Sequence, residues 1–268
     1  MVSSLSMTAM IITFCICTIL PIAVLIVYAV KNKKKGVGVA WLLGAAGFFV
    51  MQIIIRTPII SILSLSKSFQ NFATEYYIVY ILILAFTAAL FEVVARYVVA
   101  KILKKKQCYE VAVGAGLGHG GIEAIVLIGM TYINNLLYSV MINSGAYDVM
   151  IESTANMGVD TSSLVLVKQQ LIETSPYMFL LAGYERILTM ILHVAMTVIV
   201  FYFVSKKKDF LGIILCLLIH TFIDFMPSFL MGILAANTAY IVTYALLTVM
   251  AIAGIIILVV IKKKWKKA

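Results

Sequence analysis

Charged side chains are scarce in this sequence. Asp, Glu, Lys and Arg make up 12% of the 268 residues, while 63% of the residues are hydrophobic. A water-soluble domain carries about a quarter charged residues. The composition therefore excludes an ordinary soluble globular protein and indicates a chain that folds in a lipid bilayer.

Cysteine is also rare, with 4 residues in the chain. Cys15, Cys17 and Cys216 lie inside apolar stretches, and Cys108 lies in a lysine-rich loop. These positions form neither a disulfide framework nor a CxxC metal motif.

The sequence lacks a nucleic-acid-binding face and a phosphate-binding loop, although it contains the residue types that each would need. The net charge of +10 would suit nucleic acid, but the basic residues form short clusters beside apolar stretches rather than a face with interleaved aromatics. A glycine run would suit a phosphate loop, but no strand precedes it and no Gly-Lys-Ser/Thr follows. Small residues in an apolar helix instead favour close approach to a neighbouring helix or a bound peptide. The run comprises Gly114, Gly116, Gly118, Gly120 and Gly121.

Seven apolar stretches account for most of the sequence. Each is long enough to cross a hydrocarbon core of about 30 Å as a helix. We therefore predict an all-α membrane protein, a bundle of seven transmembrane helices, which we number as spans one to seven. They cover residues 7–30, 37–64, 77–100, 111–137, 177–204, 210–232 and 238–261.

The lysines predict the orientation of these spans. Clusters follow spans one, three, five and seven, whereas the opposite ends carry only Lys67 and Lys168. Since flanking positive residues concentrate in the cytoplasm, we expect an external N-terminus, a cytoplasmic C-terminus and a multi-pass protein of the cell membrane. Span one has no basic residue before it, so it is predicted to be retained rather than cleaved as a signal peptide. The clusters are Lys31 with Lys33 to Lys35, Lys101 with Lys104 to Lys106, Lys206 to Lys208, and Lys262 to Lys264 with Lys266 and Lys267.

We predict a single transmembrane domain over residues 1–268, with spans three to six, at about 77–232, as its core. An external loop at 139–176 is the longest stretch outside the spans. Apolar residues between Leu164 and Ile172 predict a short amphipathic helix there, lying on the outer surface. The pattern leaves open whether this loop is a plain connector or gates access to the bundle.

Ionisable residues interrupt spans three to six. Such a residue costs roughly 2.5–3.5 kcal/mol at the bilayer centre on insertion scales, so it usually faces the bundle interior and marks a function. All 3 histidines of the chain belong to this set. Its members are Glu92 and Arg96 in span three, His119 and Glu123 in span four, Glu185, Arg186 and His193 in span five, and His220 and Asp224 in span six.

The spacing of these residues predicts that they converge. Three pairs are four residues apart and share a helix face: Glu92–Arg96, His119–Glu123 and His220–Asp224. Five residues lie about 14–20 Å from the cytoplasmic charges at 1.5 Å per residue: Glu92, His119, Glu123, His193 and His220. We therefore expect one polar cavity in the cytoplasmic half of the bundle. Spans one, two and seven are expected to be peripheral.

Four of the polar residues suit structural roles. Glu92 and Arg96 would form a buried ion pair, because arginine stays protonated and favours a carboxylate partner. Glu185 and Arg186 lie about 30 Å from the cytoplasmic boundary and suit a clamp on the outer side.

The remaining residues suit catalysis. Glu123 can take up and release a proton, and the neutral imidazoles of His193 and His220 can donate hydrogen bonds to a developing oxyanion. Asp224 would orient His220. For His119, a place in the site and a place in a helix contact stay open.

Four motifs in order carry a resemblance over residues 88–226: E-x-x-x-R, G-x-G-H-G-G-x-E, E-R-x6-H and H-x-x-x-D. Together they resemble the YhfC family of membrane peptidases. More broadly, they are similar to the superfamily that joins the type II CAAX prenyl endopeptidases, the PrsW proteases and the gamma-secretase subunit Aph. The resemblance implies a glutamate-dependent intramembrane endopeptidase without a cofactor. Its substrate would be a membrane-associated protein or lipidated peptide, hydrolysed by a water that Glu and His activate.

The resemblance also implies a role for each matching position. CAAX enzymes carry a Glu-Glu pair before x-x-x-Arg, with the first glutamate catalytic; that position is Phe91 here, and Glu92 remains. The PrsW-like motif G-x-G-F-x-x-x-E implies Glu123 as general base, with Glu92 as the second candidate. Its matching residues are Gly116, Gly118, His119 and Glu123.

Further roles follow for span five and span six. His193 and His220 match the two family histidines, and Asp224 stands where those enzymes carry Asn or Asp.

Three other functions remain open. A zinc protease could use His193, His220 and Glu123 as a His₂Glu site, although H-E-x-x-H is missing. A non-catalytic scaffold of the same fold is favoured by Phe91. A proton-coupled transporter would also bury Glu, His and Arg, but it usually shows internal repeats, and none is visible here.

Overall fold

The computed structural model describes residues 1–266, and within that range the chain forms helices without any strand. Lys267 and Ala268, which close the predicted cytoplasmic terminus, lie outside the described residues. Among residues 1–266, seven helices are long and apolar enough to cross a membrane, which confirms the predicted all-α, multi-pass architecture. They are Ser4–Lys31, Val37–Ser64, Tyr77–Ile102, Tyr109–Ser144, Pro176–Ser205, Asp209–Ile233 and Ala236–Trp265.

The helices differ from the predicted spans mainly after span four. That helix continues to Ser144, beyond the predicted end at residue 137, and Gly145 ends it with a φ of 82°. A glycine in this left-handed conformation is a common helix terminator. The predicted loop from residue 139 therefore begins inside a helix.

The rest of that segment contains two helices. Ser162–Glu173 matches the predicted amphipathic helix, whereas Ala146–Asn156 was not predicted. The two helices pair through Lys168 and Asp148, and the Tyr147 hydroxyl donates to the Leu164 carbonyl at 3.2 Å.

The chain divides into two compact units. The first comprises Met1–Ile22 with Ala124–Ile187, and the second comprises Ala23–Glu123 with the chain from Leu188 onward. Within the first unit, the Phe179 carbonyl accepts hydrogen bonds from the Thr13 hydroxyl at 2.7 Å and from the Tyr132 hydroxyl at 2.9 Å. That the chain forms a single transmembrane domain stays a prediction.

Within the second unit, spans two and four lie against each other through glycines. A Cβ atom on Gly44 would overlap the carbonyl of Ala115, and one on Gly118 would overlap the carbonyl of Trp41. Gly44 of span two and Gly118 of span four therefore serve a helix–helix contact. Span two is not peripheral, and that expectation was wrong.

Span two also changes its helical form part of the way along. The segment Phe49–Arg56 is π-helical, with a wider turn than an α-helix. A second π-helical segment, Ala124–Gly129, directly follows Glu123 in span four. Such turns are rare and often occur at functional sites.

Spans four and five are the most buried of the seven. Their apolar stretches are 67% and 72% buried, whereas those of the other five spans are 22–33% buried. The polar residues of spans four and five are therefore shielded mainly by protein.

Replacement of Gly44 by alanine tests the contact between spans two and four. We expect Gly44→Ala to lower the unfolding free energy by about 1–3 kcal/mol or more, since the new methyl meets backbone. Gly38→Ala is the matched control, because nothing lies within 4 Å of a Cβ at Gly38. It should be neutral or slightly stabilising. Thermal unfolding in detergent measures both; equal stability of the two variants would contradict the contact.

The orientation predicted from the lysines can be tested with reporters. A reporter fused after Lys208 is expected to lie in the cytoplasm, and one inserted near Asn156 is expected to lie outside. The reason is the concentration of lysines after spans one, three, five and seven. Alkaline phosphatase activity from the fusion at Lys208 would reverse the assignment.

Candidate active site

Glu92 lies at the centre of a buried polar cluster in the second unit. Its Oε1 accepts a hydrogen bond from Gln52 Nε2 at 2.7 Å. Its Oε2 lies 2.9 Å from both Arg96 Nη2 and His119 Nε2. With its side chain 5% exposed, Glu92 is a carboxylate held by three polar neighbours from three spans.

Arg96 occupies the next turn of span three. Glu92 and Arg96 are four residues apart, so the helix places both on one face. The Arg96 guanidinium also contacts two histidines: Nη2 lies 2.7 Å from His193 Nδ1, and Nη1 lies 3.4 Å from His220 Nδ1. Its side chain is 1% exposed, so these contacts are made away from solvent.

Glu123 pairs with His193 across spans four and five. His193 Nε2 lies 2.7 Å from Glu123 Oε2. A Cβ on Gly120 would lie 2.9 Å from the Cβ of His193, so glycine at that position allows the histidine its close approach. Glu123 and His193 are both buried.

His220 and Asp224 complete the cluster from span six. His220 Nε2 lies 3.6 Å from Glu92 Oε2 and 3.5 Å from Asp224 Oδ2. The Asp224 side chain is 32% exposed, whereas that of His220 is 4% exposed. Asp224 therefore lies at the edge of the cluster and His220 in its interior.

The imidazole rings are close neighbours. The ring centroids of His119 and His193 are 5.5 Å apart, and those of His193 and His220 are 5.6 Å apart. Phe48 of span two packs edge-on against His119, with ring centroids 5.2 Å apart. Apolar packing against Phe48 thus adds to the polar contact that His119 makes with Glu92.

The guanidinium determines the form of two histidines. Arginine can only donate hydrogen bonds, so the Nδ1 atoms of His193 and His220 must accept. A neutral imidazole that accepts at Nδ1 carries its proton on Nε2. In this arrangement, the protonated Nε2 of His193 lies 2.7 Å from Glu123 Oε2, and that of His220 lies 3.6 Å from Glu92 Oε2 and 3.5 Å from Asp224 Oδ2.

Most of the predicted site residues meet in this cluster. The predicted residues that lie together in the cluster are Glu92, Arg96, His119, Glu123, His193, His220 and Asp224. Glu185 and Arg186 fall in the first unit, where Arg186 Nη2 lies 2.6 Å from Glu185 Oε1. Their role as an outer clamp stays a prediction, as do the catalytic roles.

Gln52 is the contact that the sequence analysis did not assign to the site. It belongs to span two, and Arg56 lies one turn further, where Nη2 donates to the Leu84 carbonyl at 2.7 Å. A polar residue inside an apolar span was the signal used for the other members. The same signal applied to Gln52 would have placed span two beside the site.

The cluster also contains donors of the kind that hold a metal ion. One ligand atom from each of Glu92, His119, Glu123 and His193 lies within 4.8 Å of the others, and all four residues are buried. Imidazole nitrogens and carboxylate oxygens are usual zinc ligands. Two residues of the predicted zinc set, His193 and Glu123, belong to this group; Glu92 and His119 join them, and His220 does not.

Comparison with known proteins agrees with this picture. Residues 16–262 match the model of a family described as YhfC intramembrane metalloprotease. The chain is also 24% identical over 261 residues to YhfC, an uncharacterized membrane protein of Bacillus subtilis strain 168, covering 96% of this chain and 97% of that protein. No solved structure matches. Because the family model covers nearly the whole chain, including every member of the cluster, this protein belongs to the YhfC intramembrane metalloprotease family.

Proposed function

We propose that this protein is a glutamate-dependent intramembrane endopeptidase in which Glu123 is the general base. One observation carries the proposal: Glu123 pairs with His193 at 2.7 Å inside a buried cluster of carboxylates and imidazoles. A carboxylate–imidazole pair can move a proton to and from a water molecule. The family description supports the coarser function, an intramembrane protease.

Glu92 is less suited to be the base. The side-chain nitrogens of Gln52, Arg96 and His119 already lie 2.7–2.9 Å from its two carboxylate oxygens. Three polar contacts, one of them to a guanidinium, occupy the oxygen lone pairs that a general base needs to accept a proton from water. Glu92 therefore suits the role of a fixed negative charge that positions Arg96 and His119.

The proposed reaction uses residues of spans four and six, and His193 of span five positions the Glu123 carboxylate. Glu123 takes a proton from a water molecule while the water oxygen bonds to the carbonyl carbon of the scissile peptide. The carbonyl electron pair moves onto its oxygen, which accepts a hydrogen bond from the Nε2–H of His220. The C–N bond then breaks, and Glu123 returns its proton to the leaving amine. Asp224 keeps the His220 ring oriented.

We also propose membership of the wider superfamily of CAAX endopeptidases, PrsW proteases and Aph. In the CAAX motif, the first glutamate of the pair is catalytic, and Phe91 stands there. Glu123 of span four would supply the catalytic carboxylate instead, since it contacts His193, the histidine that Arg96 also contacts. The substrate would be a membrane-associated protein or lipidated peptide.

A zinc-dependent protease is the second candidate. It is favoured by the family description and by the four donors within 4.8 Å. However, a neutral histidine that binds a metal through Nε2 needs its proton on Nδ1, usually donated to an acceptor. The Nδ1 of His193 instead faces the donor Arg96 at 2.7 Å. The donor types fit zinc, but this hydrogen-bonding arrangement does not.

Replacement of Glu123 tests the general base. We expect Glu123→Gln to lower the cleavage rate about 100-fold or more, because an amide cannot accept the proton from water. The assay incubates purified protein with a bacterial membrane-protein extract and counts new N-termini by mass spectrometry. Glu152→Gln is the matched control, since Glu152 is exposed in the helix Ala146–Asn156. Full activity of Glu123→Gln would remove Glu123 from the mechanism.

Chelation separates glutamate chemistry from zinc chemistry. Protein purified in the presence of a strong chelator is expected to keep its activity and to contain no stoichiometric zinc, because Arg96 faces the histidine that would bind it. Elemental analysis and the same cleavage assay measure both quantities. One zinc per chain that disappears in His193→Ala would favour the second candidate instead.

A further inference from the structure

Arg96 contacts more members of the cluster than an ion pair with Glu92 requires. Its Nη2 group serves both Glu92 Oε2 and His193 Nδ1, at 2.9 and 2.7 Å, and its Nη1 approaches His220 Nδ1 at 3.4 Å. The three partners lie on spans three, five and six. A single buried guanidinium therefore sets the surroundings of both histidines that the proposed reaction uses.

The direction of these hydrogen bonds has a chemical consequence. Because arginine only donates, both Nδ1 atoms must offer a lone pair, and both Nε2 atoms carry the proton. The Nε2 of His193 is the atom that faces Glu123. With a proton there, it offers no lone pair to a cation. Histidines that bind metals usually show the opposite pattern, with the second nitrogen donating to an acceptor.

The charges in the cluster lead to the same conclusion. Glu92 and Glu123 supply two negative charges, and Arg96 already offsets one of them. Gln52 carries no charge, and His193 and His220 carry none in the form that accepts from Arg96, while Arg56 and Asp224 lie at the edge of the cluster. A divalent cation would leave an excess of buried positive charge, which is costly. Without Arg96, two carboxylates and two neutral imidazoles would match a divalent cation.

We propose that Arg96 is a positioning residue that holds His193 and His220 as Nε2–H donors and keeps divalent cations out of the Glu/His cluster. The effect of Arg96 on catalysis rests on the metal-free function proposed for Glu123. The histidine tautomers and the exclusion of cations do not depend on that function, because both can be measured without a substrate.

Cobalt titration tests the exclusion of cations. The full-length native protein, Arg96→Gln and Arg96→Lys are purified in detergent, and Co²⁺ is added while visible absorption and melting temperature are recorded. We expect Arg96→Gln to bind one Co²⁺ per chain about 100-fold or more tightly than the native protein, since one buried charge has been removed. The melting temperature should rise on binding. Arg96→Lys keeps the charge and should behave like the native protein.

Two further variants make the result specific. Arg96→Gln combined with His193→Ala should lose the cobalt absorption, because a ligand is gone. Arg56→Gln removes another, half-buried arginine, whose guanidinium contacts Thr87, Gln52 and the Leu84 carbonyl rather than a histidine. It should bind no more cobalt than the native protein does. Cobalt binding by a folded Arg56→Gln would show that any lost charge suffices and would overturn the role of Arg96.

Nitrogen NMR of the native protein tests the tautomers and needs no variant of Arg96. In protein labelled with ¹⁵N-histidine and assigned by single substitutions, we expect His193 and His220 to carry their protons on Nε2. A proton on Nδ1 of His193, stoichiometric Co²⁺ binding by the native protein, or a folded Arg96→Gln that binds no Co²⁺ would each overturn the proposal. Nε2 protons and cation exclusion in a protein that cleaves nothing would instead refute only the protease function.

Discussion

The ion pair between Glu92 and Arg96 constrains every span around it. Both charges are buried, with side chains 5% and 1% exposed, and a buried charge is costly unless it is paired and hydrogen-bonded. Gln52 and His119 supply the partners of the carboxylate, and His193 and His220 supply those of the guanidinium. Spans two, four, five and six are thereby held to span three.

Short polar side chains can meet only if the helices approach closely, and glycine makes that possible here. Gly44 and Gly118 bring spans two and four into backbone contact, and Gly116 leaves no room for a Cβ beside Val194 of span five. Gly120 then leaves space for the His193 ring next to span four. The glycine run and the polar residues therefore depend on each other. The glycines allow the short distance between helices at which the polar side chains can contact one another.

Hydropathy and spacing predicted the spans and the members of the cluster, because both depend on residues close together in the chain. Which polar side chains contact each other depends on which helices are neighbours. Residues close together in one sequence do not indicate which helices will be neighbours. The four-residue spacing was correct for Glu92 with Arg96 and for His220 with Asp224. It was not correct for His119 and Glu123, since His119 contacts Glu92 and Glu123 contacts His193. The helix Ala146–Asn156 was missed because its polar composition has no clear apolar period.

The π-helical segment Phe49–Arg56 gives span two a property that hydropathy does not detect. Each residue that a wide turn absorbs rotates the following residues by about 100° relative to a continuous α-helix. Before the segment, Gly44 faces span four; within it, Gln52 reaches Glu92 of span three. Loss of one residue there would leave span two as long and as apolar as before, yet present the wrong side chains to span three. In families with such turns, alignment gaps of a single residue inside a membrane helix therefore carry information about its interior contacts.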